Sequence, residues 1–368
     1  MVTAVLAGVM VMSMGMNAFA AVSGAQQNQG TDAATKVQVK KTVTTDGKTF
    51  APNAIFNFTI EPGAASEAGV TPVIQAGVKA TDITIGSVGF TSDSDTAHLS
   101  NQYSGYANID VSKVVFDKPG IYHYVIKESI PANKVKGVVY DESAKDIYVY
   151  VENDNGSNKV TAVVSSTADG AKAPSIDFVN NYGEEGGTKE DQVFDATVYK
   201  KVTGNQGDRN GNYNFTFHIT STDTNKYFVV EVPVGTQGAD KDGRIVVKAN
   251  EDKTIPLKDK QSFTINGLVE GESYVVTEES YTDKGYTTYV KNALYESESY
   301  DGTGTAGNSI DQKTNGVSLA NDVVYTVIND NHVTTPTGII LTFAPYILMV
   351  VAAGILAVMF LRKKREEI

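Results

Sequence analysis

Between residues 31 and 333 apolar and polar positions alternate in short runs, as in Asp146-Ile147-Tyr148-Val149-Tyr150-Val151. That period belongs to half-buried β-strands. Turn signals such as Asp46-Gly47, Asn155-Gly156 and Asp242-Gly243 separate the runs. No long amphipathic helical period intervenes, so the expectation is an all-β chain built as sandwiches.

The pattern also repeats itself. Val37-Gln38-Val39-Lys40-Lys41 in the first half answers Ala196-Thr197-Val198-Tyr199-Lys200 in the second. Counting by twos, Val37, Val39, Lys41 and Val43 share one face, and Phe194, Ala196, Val198, Lys200 and Val202 share the corresponding one. Lys41 and Lys200 are therefore expected inside, and Lys40, Lys201 and Asn181 on the opposite faces of their strands. Fifteen residues after each inward lysine comes an aromatic strand, beginning at Phe56 in Phe56-Asn57-Phe58-Thr59-Ile60 and at Phe215 in Phe215-Thr216-Phe217-His218-Ile219. Tyr124-Val125-Ile126-Lys127-Glu128 then matches Tyr274-Val275-Val276-Thr277-Glu278, with each Glu on its strand's apolar face. The copies close on Phe178-Val179-Asn180 and Val327-Ile328-Asn329. Asn329 is the least determined of these, because both faces of its strand are apolar.

An ordered Lys, Glu, Asn triad occurring twice points to a specific reaction. A lysine amine attacks a carboxamide only when neutral, and burial lowers a lysine pKa while raising that of a glutamate. A protonated Glu128 or Glu278 can then polarise the Asn carbonyl and shuttle protons as ammonia leaves. The expected products are amide cross-links from Lys41 to Asn180 and from Lys200 to Asn329, each formed once and not by turnover. The competing reading makes these residues snorkelling strand-end lysines and ordinary polar groups in turns.

The termini carry different signals. Residues 1–20 are uncharged and apolar and end Ala18-Phe19-Ala20, as a secretory signal peptide does; a buried helix is the other reading. Ile339 to Leu361 is an uncharged apolar run long enough to span a bilayer, followed at once by Arg362-Lys363-Lys364-Arg365. Just before it stands Thr334-Thr335-Pro336-Thr337-Gly338. Motif, span and basic tail in this order resemble a Gram-positive sortase sorting signal, with cleavage between Thr337 and Gly338. The common motif begins with Leu and has a residue between Pro and Thr; this chain matches the shorter Pro-Thr-Gly ending of some pilins. The alternative for this end is a permanent membrane anchor. The resulting division is a signal peptide at 1–20, sandwich domains at 31–183 and 191–333, and a sorting segment at 334–368, with the glycine-rich stretch from Gly183 to Glu190 as linker.

Composition narrows the function. The chain has 368 residues and a formal net charge of −12. The basic tail contributes part of the positive charge, so the region between the termini is more acidic still and offers no basic patch to nucleic acid. There is no cysteine, so an exported protein must find its covalent reinforcement elsewhere. His98, His123, His218 and His332 are scattered without metal-ligand spacing, and no nucleophile, base and acid arrangement suggests a turnover enzyme. Asp93-Ser94-Asp95 and Asp240-Lys241-Asp242-Gly243 are too short for a calcium loop and read as turns. No metal or cofactor is expected.

Taken with the strand motifs around Lys41 and Lys200, the Glu strands, the closing Asn strands and the Pro-Thr-Gly ending, the chain resembles the major shaft pilins of Gram-positive bacteria. It is similar to streptococcal backbone pilins with two tandem collagen-adhesin B-type, immunoglobulin-like domains. The resemblance implies one Lys–Asn isopeptide bond per domain with Glu128 and Glu278 as catalysts. It further implies a surface lysine before the first closing strand that receives the Thr337 end of the next subunit. Lys172, in Gly170-Ala171-Lys172-Ala173-Pro174, occupies that place; a plain solvated lysine is the alternative. The implied partners are identical subunits, a sortase, peptidoglycan or a basal pilin, accessory pilins and host surfaces. The implied location is the cell wall of a Gram-positive bacterium, reached through a transiently membrane-anchored precursor. A monomeric wall-anchored adhesin with the same domains is the alternative function.

Overall fold

The computed structural model describes residues 36–166, 172–173, 176–183, 191–312, 322–333 and 346–359. Two β-sandwiches follow one another along the chain. The first contains β1 (Lys36–Thr44), β2 (Ala54–Pro62), β3 (Ile74–Ala76), β4 (Thr84–Ile85), β5 (Val88–Phe90), β6 (Gln102–Asp110), β7 (Gly120–Ser129), β8 (Val138–Val139), β9 (Ala144–Asp154), β10 (Ser157–Ser166), β11 (Lys172–Ala173) and β12 (Ile176–Tyr182). The second contains β13 (Val193–Thr203), β14 (Tyr213–Thr220), β15 (Tyr227–Glu231), β16 (Arg244–Lys248), β17 (Asp252–Leu257), β18 (Ser262–Val269), β19 (Ser273–Glu278), β20 (Thr287–Lys291), β21 (Thr305–Ala306), β22 (Ser309–Asp311) and β23 (Val323–Asp330).

Alternation in sequence becomes alternation in burial. Along β12 buried residues at Ile176, Phe178, Asn180 and Tyr182 are separated by more accessible ones, and β14 follows the same rhythm. The Asn155-Gly156 signal is the β9–β10 hairpin, with φ of 53° and 88° at the two residues. Both values lie in the left-handed region that a tight hairpin requires and that Asn and Gly tolerate.

In each sandwich the first and last strands lie side by side and parallel. One sheet runs β4-β6-β1-β12-β8, facing β11-β10-β9-β7-β2-β5. Its counterpart runs β16-β15-β18-β13-β23-β20-β21, facing β17-β14-β19-β22. Parallel neighbours cannot be joined by a hairpin; here almost the whole domain lies between them. The registers agree as well: Lys41 is opposite Phe178 and Val43 opposite Asn180, while Lys200 is opposite Val327 and Val202 opposite Asn329. Each Asn thus sits one pleat beyond its lysine, on the same face.

The cores meet at a seam. Val193 and Val269 of the second sandwich pack into the hydrophobic cluster of the first. Asn53 donates to Asp223 at 2.7 Å, and Ser92 both donates to the Asn225 carbonyl and accepts from the Tyr227 N–H. At this seam Lys226 is buried and hydrogen-bonded to both carboxylate oxygens of Glu272, at 3.0 and 2.9 Å, and to the Gly267 carbonyl.

Near the C-terminus, residues 346–359 form a helix whose side chains are exposed. Among the described residues no helix is long and apolar enough to cross a membrane. The apolar run from Ile339 to Leu361 extends past the described helix at both ends. Residues 1–20 and 334–338 lie outside the described residues.

Candidate functional site

Each sandwich holds a buried Lys, Glu and Asn together between its sheets. In the first, Lys41 from β1 and Asn180 from β12 project from one sheet toward Glu128, which reaches across from β7 on the other. Lys41 and Asn180 are fully buried and Glu128 is 6% exposed. The Lys41 Nζ donates to Glu128 Oε2 at 2.8 Å, and the Asn180 Nδ2 donates to Glu128 Oε1 at 2.8 Å. One carboxylate therefore bridges amine and amide.

The second cluster repeats the plan. Lys200 on β13, Asn329 on β23 and Glu278 on β19 are all buried. Lys200 Nζ lies 2.8 Å from Glu278 Oε1, and Asn329 Nδ2 donates to the same oxygen at 3.0 Å. Glu278 Oε2 is buried without a hydrogen-bond partner among the described residues. An ionised carboxylate is poorly served by an orphaned oxygen, so this arrangement favours the neutral acid.

Aromatic rings complete both pockets. Lys41 Nζ stands 4.9 Å from the Phe56 ring centroid; Lys200 Nζ stands 4.7 Å from Tyr213 and 5.9 Å from Phe215. The fifteen-residue spacing from lysine to aromatic strand is thus the spacing of a lid over the amine. Such rings exclude water while facing a charge with their negative faces. Burial pushes Lys41 down, and it pushes Lys200 down to about 8, in each case against the neighbouring carboxylate, which acts the other way. Burial pushes Glu128 and Glu278 up, opposed by their lysines. All four shifts bring the neutral amine and neutral acid within reach.

Two points go beyond the sequence reading. Lys201 does lie on the opposite face from Lys200, yet it is fully buried, held by Glu298 at 3.1 Å and Asp259 at 3.7 Å. A chain segment covers that face: the Tyr295 N–H donates to Thr326 Oγ1, which in turn donates to the Ala293 carbonyl. The same cover explains why both faces of β23 are apolar. The second point concerns the amide carbonyls. Each glutamate faces the Asn nitrogen, not its oxygen. Asn180 Oδ1 accepts from the backbone N–H of Asp141 at 2.8 Å, and Asn329 Oδ1 accepts from the Thr288 hydroxyl at 2.8 Å. Asp141 had no signature in the sequence, since its backbone acts; Thr288 was one strand threonine among many.

Comparison with known proteins places this architecture. A pilin of Streptococcus pyogenes serotype M1 is 31% identical over 320 residues, covering 85% of this chain and 86% of that protein. The chain belongs to the pilin family. Residues 37–183 of this pilin match the Spy0128-like isopeptide containing domain, and residues 195–331 match a domain of unknown function, DUF7601. The crystal structure of the major pilin from Streptococcus pyogenes superposes with a TM-score of 0.58 at 27% identity, covering 82% of this chain and 99% of that one. A point mutant of that protein gives 0.59 at 26% identity, covering 82% and 100%. The pilin is a structural pilus subunit made of two tandem β-sandwich domains, and the adhesin alternative is not favoured by these relatives.

The remaining site residues are placed unequally. Lys172 lies on β11, the terminal strand of its sheet, opposite Ser166. Thr334, Thr335, Pro336, Thr337 and Gly338 lie outside the described residues.

Proposed function

We propose that this pilin welds each of its domains shut and is then joined to its neighbours by transpeptidation. Within each domain the lysine Nζ attacks the Asn side-chain carbonyl carbon, the C–N bond to Nδ2 breaks, and one ammonia leaves. The carboxylic acid of Glu128 or Glu278 takes the surplus amine proton and supplies one to the departing nitrogen, so it ends as it began. The fold holds amine and amide as neighbours, which makes an otherwise slow amide exchange feasible. The observation that carries this reading is the convergence of the same buried Lys, Glu and Asn in both sandwiches, with a common register offset.

Export through residues 1–20, retention by the 339–361 span, sortase cleavage after Thr337 and transfer of that carbonyl to Lys172 complete the proposal. Repeated transfer gives a head-to-tail, non-closing covalent fibre anchored to the wall. Because first and last strands are cross-linked, force applied at the ends passes through amides and not through ladders of hydrogen bonds. The test is electrophoresis of cell-wall extracts. High-molecular-weight ladders in the parent strain and a single species in Lys172→Ala are expected; ladders that persist in Lys172→Ala would exclude that lysine as the acceptor.

A further inference from the structure

The reaction leaves one requirement that neither glutamate meets. As the amine adds to the carboxamide, negative charge collects on Oδ1, and that charge needs a donor already in place. Both glutamates are turned toward Nδ2. The two hydrogen bonds on the carbonyl oxygens therefore acquire a role.

Their positions in the sheets agree. In the first sandwich β12 lies between the lysine strand β1 and β8, and the Asp141 N–H comes from the segment just after β8. In the second, β23 lies between the lysine strand β13 and β20, and Thr288 is on β20 directly opposite Asn329. In both, the amide stands between its attacker on one flank and a hydrogen-bond donor on the other, with its NH2 turned to the acid. The donors differ in kind: a backbone amide at 2.8 Å in one domain and a side-chain hydroxyl at 2.8 Å in the other. The backbone donor is itself held. The Asp141 carboxylate accepts from the Val179 N–H at 3.0 Å and from the Ser143 N–H at 2.9 Å, clamping its own peptide against the closing strand.

We infer that Thr288 is a catalytic residue of the second domain, its hydroxyl stabilising the oxyanion on Asn329 Oδ1 as Lys200 attacks, and that the Asp141 backbone N–H serves Asn180 in the same way. This inference rests on the cross-linking reading above. It makes the two bonds separable, because only one of the two donors can be deleted by changing a side chain.

The experiment follows newly synthesised full-length chains over time, scoring intact mass and the two cross-linked peptides separately. Thr288→Val keeps the branched shape and removes the hydroxyl; Thr288→Ser keeps the hydroxyl. Loss of one well-placed oxyanion donor costs an optimised enzyme roughly 100- to 1,000-fold; for this half-buried threonine we expect the Lys200–Asn329 bond to form at least ~10-fold more slowly in Thr288→Val. The Lys41–Asn180 bond should form at the parent rate in the same molecules, and Thr288→Ser should restore the second bond. Parent-like kinetics in Thr288→Val, or equal slowing in Thr288→Val and Thr288→Ser, would overturn the inference. If the unaltered chain loses no ammonia in the second domain, the cross-linking reading itself fails, and that outcome is distinct because it appears before any substitution is made.

Discussion

Replacing Lys200 by Met isolates what the proposed second cross-link contributes. Met fills a similar volume and packs against Tyr213 and Phe215, the rings that cover Lys200 Nζ at 4.7 and 5.9 Å. In the cross-linked parent that nitrogen is a neutral amide, so Met removes no buried charge, and apolar exchanges of like volume are tolerated best. Glu278, already pushed toward its neutral form by burial, is left without its lysine but not forced to ionise. What remains is the loss of the bond. By the chain-entropy treatment used for disulfides, closing a loop of about 100 residues is worth about 4.7 kcal/mol through the unfolded state, and the segment from Lys200 to Asn329 is somewhat longer. For a domain of this size each kcal/mol moves the melting temperature by roughly 3–6 °C, so a drop of roughly 14–28 °C is expected. Differential scanning calorimetry of the two-domain protein should show the second domain's transition falling by that amount while the first stays near its place. A second-domain transition that does not move in Lys200→Met would refute the reasoning, since it would mean that no cross-link was there to lose.

Three further outcomes follow. Formation of the Lys200–Asn329 bond should be bell-shaped in pH, because the reactive state holds one proton shared between amine and acid. Above about 8, where Lys200 titrates, that proton is gone and no acid serves the leaving nitrogen; below the raised pKa of Glu278 a second proton leaves the amine charged. A rate that keeps rising toward 10.5, the ordinary lysine value, would contradict this. At the seam, Lys226→Ala strands a buried Glu272 and should cost roughly 3–5 kcal/mol, measured by denaturant unfolding, with no effect on either ammonia loss; a change below about 1 kcal/mol would show that the pair matters little. Asp141→Ala frees the peptide that holds Asn180 Oδ1 and should slow only the first bond in a time course of intact mass; slowing of the second bond as well would point to a general folding defect.

Much of the site could be read from strand parity. Lys41 and Lys200 were placed inside by counting in twos, and the same count put Glu128 and Glu278 on inner faces, because a pleated strand with one wet face leaves no other register. The Phe56 and Phe215 spacing carried more than was visible in the sequence: it set the rings over the amines. Lys201 shows where parity stops. It reports which face a residue occupies, not whether a later segment, here the one bearing Tyr295 and Glu298, returns to cover that face. The carbonyl donors were hidden for another reason, since a backbone N–H belongs to every residue but proline and its aim is fixed only by tertiary structure. Lys226 and Glu272 were equally silent, being partners within the second sandwich, in turns beside the seam, with no periodicity to announce them.

The claim on which all else turns is that two buried lysines have condensed with two buried asparagines. Intact mass of the folded, purified protein tests it directly. The account predicts a deficit of one ammonia for each domain from the sequence mass, with Glu128→Ala restoring the first and Glu278→Ala the second. A protein of full sequence mass, folded and with Lys41 and Lys200 unmodified, would contradict it.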